Sequence, residues 1–418
     1  MDLGSQRSGW AALCGILVLR SIAALADEPF RPAPGAFPPL EKAHTYQGEL
    51  AFVDHANRRG SLRVQGHGVF RSTEPNPFAM LPYGMVRLHG APADLRDIPL
   101  GTVLHVTAYL PPEPQFSSVP VLPVDNKERD ANHRRGVGVF PAENHALLVE
   151  DEASHCQRTG RNWKLTEVSI SEGQGTLVAS LETAGEQTFG FDPSTRVWRG
   201  RERLTIAELI AEGSWPAEGR KSLGGRPVRL NLTWRPTPGG VFLRYHVADL
   251  WLDDASFALA TAGQTAQHVA FMRSRWLPGR VDSVAYGKFG RARIAVTLFG
   301  GMDPSLYADF VVGAPALMNG VENTLKHTEA GSAGPSQMAV RGPIREVARL
   351  PGTPPPGSSG IRVTMETDLV TEGVRPGKNV RLRPASWPDV HLPREEYIDG
   401  HAGRLDERFP TPAIFPRY

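Results

Sequence analysis

The sequence predicts an all-β protein made of three tandem small closed barrels that are joined by short helices. Apolar and polar residues alternate along many short runs, which is the pattern of half-buried strands. Glycine and proline account for 43 and 37 of the 418 residues, and they supply the turns that short strands need. The same order of signals recurs three times along the chain. In each copy the second arm of a hairpin follows a glycine (Gly60, Gly175 and Gly290), and a later strand follows another glycine (Gly101, Gly225 and Gly377).

The first 26 residues differ from the rest of the chain. An apolar stretch, Trp10–Ala26, ends in small residues and follows a single positive charge at Arg7. This pattern predicts a secretory signal peptide over residues 1–26, cleaved before Asp27. A membrane anchor is the less favoured alternative, because Arg20 interrupts the apolar run. We therefore expect a protein that is exported to the periplasm or to the outside of the cell, with no membrane span after cleavage.

Charge and cysteine content restrict the possible partners and cross-links. The formal net charge is +2 at pH 7, so the chain has no overall field that would attract nucleic acid, and we do not expect such a partner. Cys14 lies in the predicted signal peptide, which leaves Cys156 without an intramolecular disulfide partner. We expect a buried, unreactive thiol. Metal ligation together with His155 is less favoured, because adjacent side chains point in different directions.

The first predicted barrel spans residues 45–149, after a proline-rich lead-in over residues 27–44. A polar turn that ends in Gly60 divides the alternating pattern of Tyr46–Gln65, which predicts a hairpin. Two further strands are expected at Tyr83–Gly90 and Gly101–Leu110.

The second predicted barrel spans residues 150–252. A hairpin over Trp163–Glu182 and a third strand precede a short helix at 205–212, and two more strands follow. Thr205 and Glu208 have the spacing of a capping box, and Gly213 stands where a C-terminal cap glycine is expected. This order of elements resembles the OB-fold, a five-stranded Greek-key barrel. OB-folds have many unrelated functions, so the resemblance implies an architecture and no activity.

The third predicted barrel spans residues 253–390. It opens with a hairpin over Leu277–Gly300, and further strands are expected at Tyr307–Val312, Gly360–Thr367 and Gly377–Pro384. Residues 331–360 are rich in glycine, serine and proline, which predicts a mobile insertion. Residues 391–418 are expected to form an irregular tail.

Two similar acidic turns, "VEDEAS" at Val149–Ser154 and "WLDDAS" at Trp251–Ser256, lie at the two junctions between barrels. An aspartate before a helix accepts hydrogen bonds from free amides, so the favoured interpretation is that these turns begin linker helices. Gly263 is expected to break the second helix. The alternative is a structural calcium site, although the spaced loop of known calcium motifs is absent. Its candidate ligands are Glu150, Asp151, Glu152, Asp253 and Asp254.

Two further sets of residues are candidates for ligand binding. Four histidines of the first barrel could converge on a metal, although independent surface positions are favoured; they are His55, His67, His89 and His105. Three tryptophans could stack against a sugar, although core positions are favoured; they are Trp198, Trp234 and Trp251.

The familiar catalytic motifs are absent. The sequence has no G-x-S-x-G, H-E-x-x-H, Walker A, G-x-G-x-x-G or C-x-x-C pattern, so no catalytic residue is assigned. We expect a non-catalytic binding or scaffold protein of the cell envelope that recognises a glycan or an envelope protein through its loops. The alternatives are a hydrolase that acts on polysaccharide, with carboxylates gathered between barrels, and a metal-handling protein.

Overall fold

The computed structural model describes residues 30–33, 35–64, 75–110, 144–171, 174–182, 184–236, 243–321, 325–327, 339–371 and 373–397. The predicted signal peptide and most of the predicted tail lie outside these residues. Strands dominate the described chain, and its sheets include closed barrels, which confirms the predicted all-β barrel class.

The first barrel has five strands in a closed ring and a sixth at its edge. The ring follows the order β2-β1-β5-β6-β3 and closes through pairing of β2 with β3, while β4 extends β3. β3 and β6 run parallel, and the other pairs are antiparallel. These strands are β1 (His44–Asp54), β2 (Arg59–Val64), β3 (Pro75–Leu88), β4 (Ala91–Ala93), β5 (Val103–Tyr109) and β6 (Asn144–Asp151).

The second sheet has seven strands in the order β11-β10-β13-β12-β7-β8-β9. A single parallel pair, His246 with Gly190, joins β13 to β9. The capping box of Thr205 and Glu208 is confirmed: it begins α2 (Ile206–Ala211), between β11 and β12. The strands are β7 (Trp163–Ser171), β8 (Gln174–Leu181), β9 (Gly185–Phe191), β10 (Arg196–Arg199), β11 (Glu202–Leu204), β12 (Gly219–Pro236) and β13 (Leu243–Trp251).

The first two barrels share one connectivity. In the first, β1 pairs with β2 and β5, and β3 runs parallel to β6. In the second, β7 pairs with β8 and β12 in the same way, and β9 runs parallel to β13. This agrees with a repeated five-stranded unit, and the OB-like assignment itself stays a prediction.

The third barrel differs from the other two in its strand order. Six strands close in the order β14-β15-β18-β17-β16-β19, and every pair is antiparallel. They are β14 (Leu277–Tyr286), β15 (Ala292–Phe299), β16 (Pro315–Gly320), β17 (Val340–Arg349), β18 (Ser358–Thr367) and β19 (Asn379–Pro384). The last barrel is therefore a different closed sheet from the first two.

Two predictions for the third barrel are corrected. Residues 340–349 of the predicted mobile insertion form β17, because the buried side chain of Ile344 fixes the strand in the barrel despite Pro343. The rest of the insertion that precedes residue 339 lies outside the described residues. The strand predicted at Tyr307–Val312 does not form. Tyr307 belongs instead to α4 (Pro304–Ala308), whose first turn contains a proline and is capped by Asp303, and the next strand begins only at Pro315.

Both acidic turns begin helices, as predicted. The Asp151 side chain accepts a hydrogen bond from Ser154 N at the start of α1 (Glu152–Arg158). In the same way, Asp253 accepts one from Ser256 N at the start of α3 (Asp254–Arg275). The expected break at Gly263 was wrong, since α3, which is 22 residues long, continues through this position. One helical glycine costs only about 1 kcal/mol, and the side chains of α3 that pack on the barrels outweigh that cost.

α3 lies against both the first and the third barrel. Thr261 donates a hydrogen bond to the carbonyl of His89, and Gln264 and Gln267 donate to Asp97. Near its C-terminus, Arg273 pairs with Asp309 at 3.0 Å. The helix therefore sets the position of these two barrels relative to each other.

We predict that Gly263→Ala raises the free energy of unfolding by about 0.5–1 kcal/mol, because alanine loses less conformational entropy in a helix. Gly263 is exposed, and a Cβ there would meet nothing within 4 Å. Chemical denaturation measures the change. The matched substitution Gly342→Ala should destabilise, since its Cβ would lie 1.7 Å from the backbone oxygen of Glu366. Destabilisation by Gly263→Ala would contradict the helical assignment.

Candidate functional site

The first acidic turn joins the first two barrels. Asp151 Oδ1 accepts from Ser154 N at 2.9 Å, while Oδ2 accepts from Asn231 Nδ2 at 2.7 Å and from His89 N at 2.9 Å. Asn231 belongs to the second barrel and His89 to the end of β3, so one carboxylate connects three segments. Its role is structural.

The neighbouring glutamates are also bound to protein groups. Glu152 lies 2.8 Å from Trp163 Nε1 and 2.5 Å from His105 Nε2, and it accepts from the thiol of Cys156. These contacts outweigh its desolvation and lower the pKa of Glu152 to about 2. The two oxygens of Glu150 share the Nε–H of Arg158, Oε1 also accepts from Arg158 Nη2, and the carboxylate contacts His155. Cys156 is buried as predicted, and burial raises its pKa.

The five predicted calcium ligands do not converge. The first three carboxylates bind three different sets of donors, although they are adjacent in the chain; they are Glu150, Asp151 and Glu152. Asp253 accepts hydrogen bonds from Ser256 N and Gly200 N, and the side chain of Asp254 is exposed. Among the described residues, no group of three or more His, Cys, Asp or Glu side chains is arranged to hold a metal ion.

The histidines of the first barrel lie in separate surroundings. His89 packs edge-on against Trp251 at a ring distance of 5.2 Å. His105 stacks on His155 at 3.9 Å, and His55 lines a cavity that is described below. His67 lies outside the described residues.

The three tryptophans are divided between two clusters. Trp234 is buried in the core of the second barrel. Trp198 and Trp251 are paired on adjacent strands and pack in the cluster of Ala153 and Phe257. Trp198 Nε1 donates to Asp249, which also pairs with Arg196 in a cleft of about 470 Å³ between the first two barrels. The charged side chains Asp249 and Arg196 of this cleft are thus paired with each other.

A cavity of about 80 Å³ between the first and third barrels has a different character. Arginine and lysine outnumber acidic residues five to two among the side chains that line it. The cations are Arg58, Arg96, Arg275, Lys326 and Arg381, the acids are Asp94 and Glu396, and His55, His268 and His327 complete the ionisable set.

The two carboxylates of the cavity are neutralised by Arg96 and Arg275. Arg275 makes a bidentate contact with Glu396, at 2.9 and 2.8 Å, and Arg96 donates to the same carboxylate at 2.9 Å. Arg96 also lies 3.8 Å from Asp94. Both guanidinium groups stack on the ring of Phe271, which fixes the arrangement.

Arg58 and Arg381 are two cations of the cavity whose hydrogen bonds, within the described chain, go to neutral carbonyls. Arg58, at the turn between β1 and β2, donates to the carbonyls of Leu81, Pro82 and Gly84. Arg381, on β19, donates to the carbonyls of Leu325, Arg275 and Trp276. Among the described residues neither guanidinium forms an ion pair. Burial and the nearby charge of Arg58 lower the pKa of Arg381, and the carboxylates of Asp94 and Glu396 oppose this shift only in part. An arginine stays protonated at neutral pH.

His268, on α3, supplies unused hydrogen-bonding atoms at the same cavity. Its ring is 3 % exposed, and neither ring nitrogen has a partner within the described chain. Nε2 of His327, another lining residue, is likewise without one. Buried polar atoms are normally hydrogen-bonded, so these nitrogens indicate a ligand or ordered water in the cavity.

Sequence reasoning missed this site. Arg58 stands in a polar turn, His268 in an alanine-rich helix and Arg381 in an alternating strand, and no spacing signal links them. Their common feature is a charged or polar side chain that lines the cavity.

Comparison of the chain with protein-family models, with curated proteins and with solved structures finds no match. Within the described residues, no helix has both the length and the apolar character that are required to cross a bilayer.

We predict that Glu152→Gln destabilises the protein by roughly 2–4 kcal/mol at neutral pH. The folded-state pKa of Glu152 lies below the ordinary 4.5, so its ionised form stabilises the fold above about pH 4.5. This stabilisation is lost as the pH falls towards 2, and the difference between variant and wild type should shrink over that range. Denaturation at several pH values measures it. Glu182→Gln, at a side chain 84 % exposed, is the control; a constant difference across the range would contradict the prediction.

Proposed function

We propose that the chain is an exported, non-catalytic binding protein of the cell envelope whose ligand is a small oxyanion, held in the cavity between the first and third barrels. The observation that supports this most directly is the pair of enclosed arginines, Arg58 and Arg381, whose hydrogen-bond acceptors among the described residues are all neutral carbonyls. Export rests on the signal-like segment of residues 1–26.

Electrostatics favour an anion over a neutral ligand. A buried charge is costly unless it is paired, and two cations that approach each other add repulsion to that cost. An oxyanion between the two barrels would supply the missing countercharge. Guanidinium groups match the planar geometry of a carboxylate and the edges of a phosphate or sulfate, and they bind these groups with charge-assisted hydrogen bonds.

The size of the cavity and its histidines suit a small anion. A volume of about 80 Å³ holds several water molecules or one group of sulfate size. The neutral His268 ring carries one N–H donor, and no group of the described residues accepts a hydrogen bond from it.

The cavity is poorly suited to glycoside hydrolysis. That reaction needs a protonated carboxylic acid of raised pKa beside an ionised one. In the cavity, ion pairs with Arg275 and Arg96 lower the pKa of Glu396 despite its burial, and Asp94 lies beside Arg96. The arrangement therefore favours binding over hydrolysis.

Sulfate binding tests the proposal. We expect the full chain to bind sulfate in calorimetry and to gain thermal stability with it, and Arg381→Gln should weaken binding by about tenfold or more. Arg341→Gln, an exposed arginine of β17, is the matched control and should bind as the wild type does. His268→Gln leaves both arginines in place and provides a second variant if Arg381→Gln does not fold. Absence of binding by sulfate, phosphate and acetate in the millimolar range would overturn the proposal.

The affinity for sulfate should increase as the pH falls from neutrality towards the lowered pKa of His268. Burial lowers the pKa of His268, against the opposing charges of Asp94, Asp97 and Asp303. An anion beside the ring favours its protonated form, so binding takes up a proton and strengthens with acidity. The charge of sulfate does not change over this pH range, so a change in affinity reports titration of the protein. In His268→Gln the slope of affinity against pH should flatten; an unchanged slope would exclude His268 as the group that is protonated.

A further inference from the structure

The hairpin between β14 and β15 exposes two aromatic rings at its tip. Phe289 is 97 % exposed and Tyr286 is 66 % exposed. Most large apolar side chains of the described residues are buried. A phenylalanine that is almost fully exposed at a turn is therefore unusual. Leu369, which is 43 % exposed, follows the strand end at Thr367 that pairs with Ala292 of the same hairpin.

The backbone holds Phe289 outward in a strained conformation. Its φ of 60° and ψ of 34° lie in the left-handed region, where a bulky side chain is disfavoured. Hydrogen bonds from Gly287 N to Arg291 O and from Arg291 N to Lys288 O fix the turn on both sides of it. Strain of this kind persists where the surrounding structure imposes it, and it is frequent at functional positions.

Basic side chains surround the aromatic tip. Lys288, Arg291, Arg293 and Arg345 provide four cations, against the carboxylates of Glu366 and Asp368. Arg345 lies 3.1 Å and Arg293 3.5 Å from Glu366, and Arg291 lies 3.5 Å from Asp368. Arg291 also lies 3.9 Å from Glu366, so this one carboxylate is shared by three arginines. Among the described residues around the tip, the positive charge therefore exceeds the negative charge.

We propose that this hairpin tip, Tyr286–Arg291, inserts into the interface of a bilayer that contains anionic lipids. Aromatic rings prefer the headgroup region, and neighbouring cations are attracted to anionic headgroups. A convex tip with two rings is too small for a stable protein interface, which buries about 800 Å² on each partner. The tip is large enough for peripheral attachment to a membrane when insertion of its rings acts together with attraction of its cations to anionic headgroups.

The hairpin tip is separate from the anion cavity. Pro278, near the start of β14, lines the cavity, whereas Tyr286 ends the strand. Eight residues of strand place them roughly 26 Å apart. The inference does not depend on the proposed function, and either can fail alone.

Co-sedimentation of the full chain with vesicles tests the inference. We expect binding to vesicles of phosphatidylcholine and phosphatidylglycerol in a 3:1 ratio, and weaker binding to phosphatidylcholine alone. The double substitution Tyr286→Ala and Phe289→Ala should lower the partition coefficient by about tenfold, and Lys288→Glu should lower it on the anionic vesicles.

The controls separate insertion from loss of fold. Leu100→Ala removes an apolar side chain that is 65 % exposed on the first barrel, and it should leave vesicle binding unchanged. Thermal unfolding of the double variant should match the wild type, because both rings are exposed. No binding to anionic vesicles, or equal binding by the double variant, would overturn the inference.

Discussion

The relative placement of the barrels depends on the docking of α3 against the turn at His89 and Gly90. Both turn residues have positive φ, as a tight hairpin between β3 and β4 requires. α1 binds one side of this turn through Asp151 and Ser154, and α3 binds the other through Thr261. Since α3 then continues directly into β14, the turn determines where the third barrel lies.

The two acidic turns are parts of one junction, although about a hundred residues separate them in the chain. Ala153 of the first helix and Phe257 of the second pack in the same cluster around Trp251. An N-cap fixes the direction of a helix at its first turn, because the capping side chain orders the free amides. Two capped helices that start at one apolar cluster can therefore orient all three barrels from a single point.

Local signals in the sequence predicted local structure well. The caps at Asp151, Asp253 and Thr205 act within three residues, so neither strand pairing nor packing had to be known. Gly263 and residues 340–349 were misjudged for the opposite reason: their propensities were right, but docking of α3 and closure of a barrel outweighed them. The cavity could not be predicted, because it forms only where the turn of Arg58 meets β19 and α3.

The cations Arg58 and Arg381 have a consequence for how the first and third barrels are held together. Arg58 belongs to one barrel and Arg381 to the other, so their repulsion acts across the contact that α3 establishes. An anion between them would replace repulsion by attraction to both sides, and part of its binding energy would appear as tighter docking. On the proposed function, the ligand is therefore also a structural link across this contact, beside the ion pairs that Arg96 and Arg275 make with Glu396. Since the His89 turn keeps α3 in place with or without the ligand, we expect its structural effect to be confined to the cavity walls.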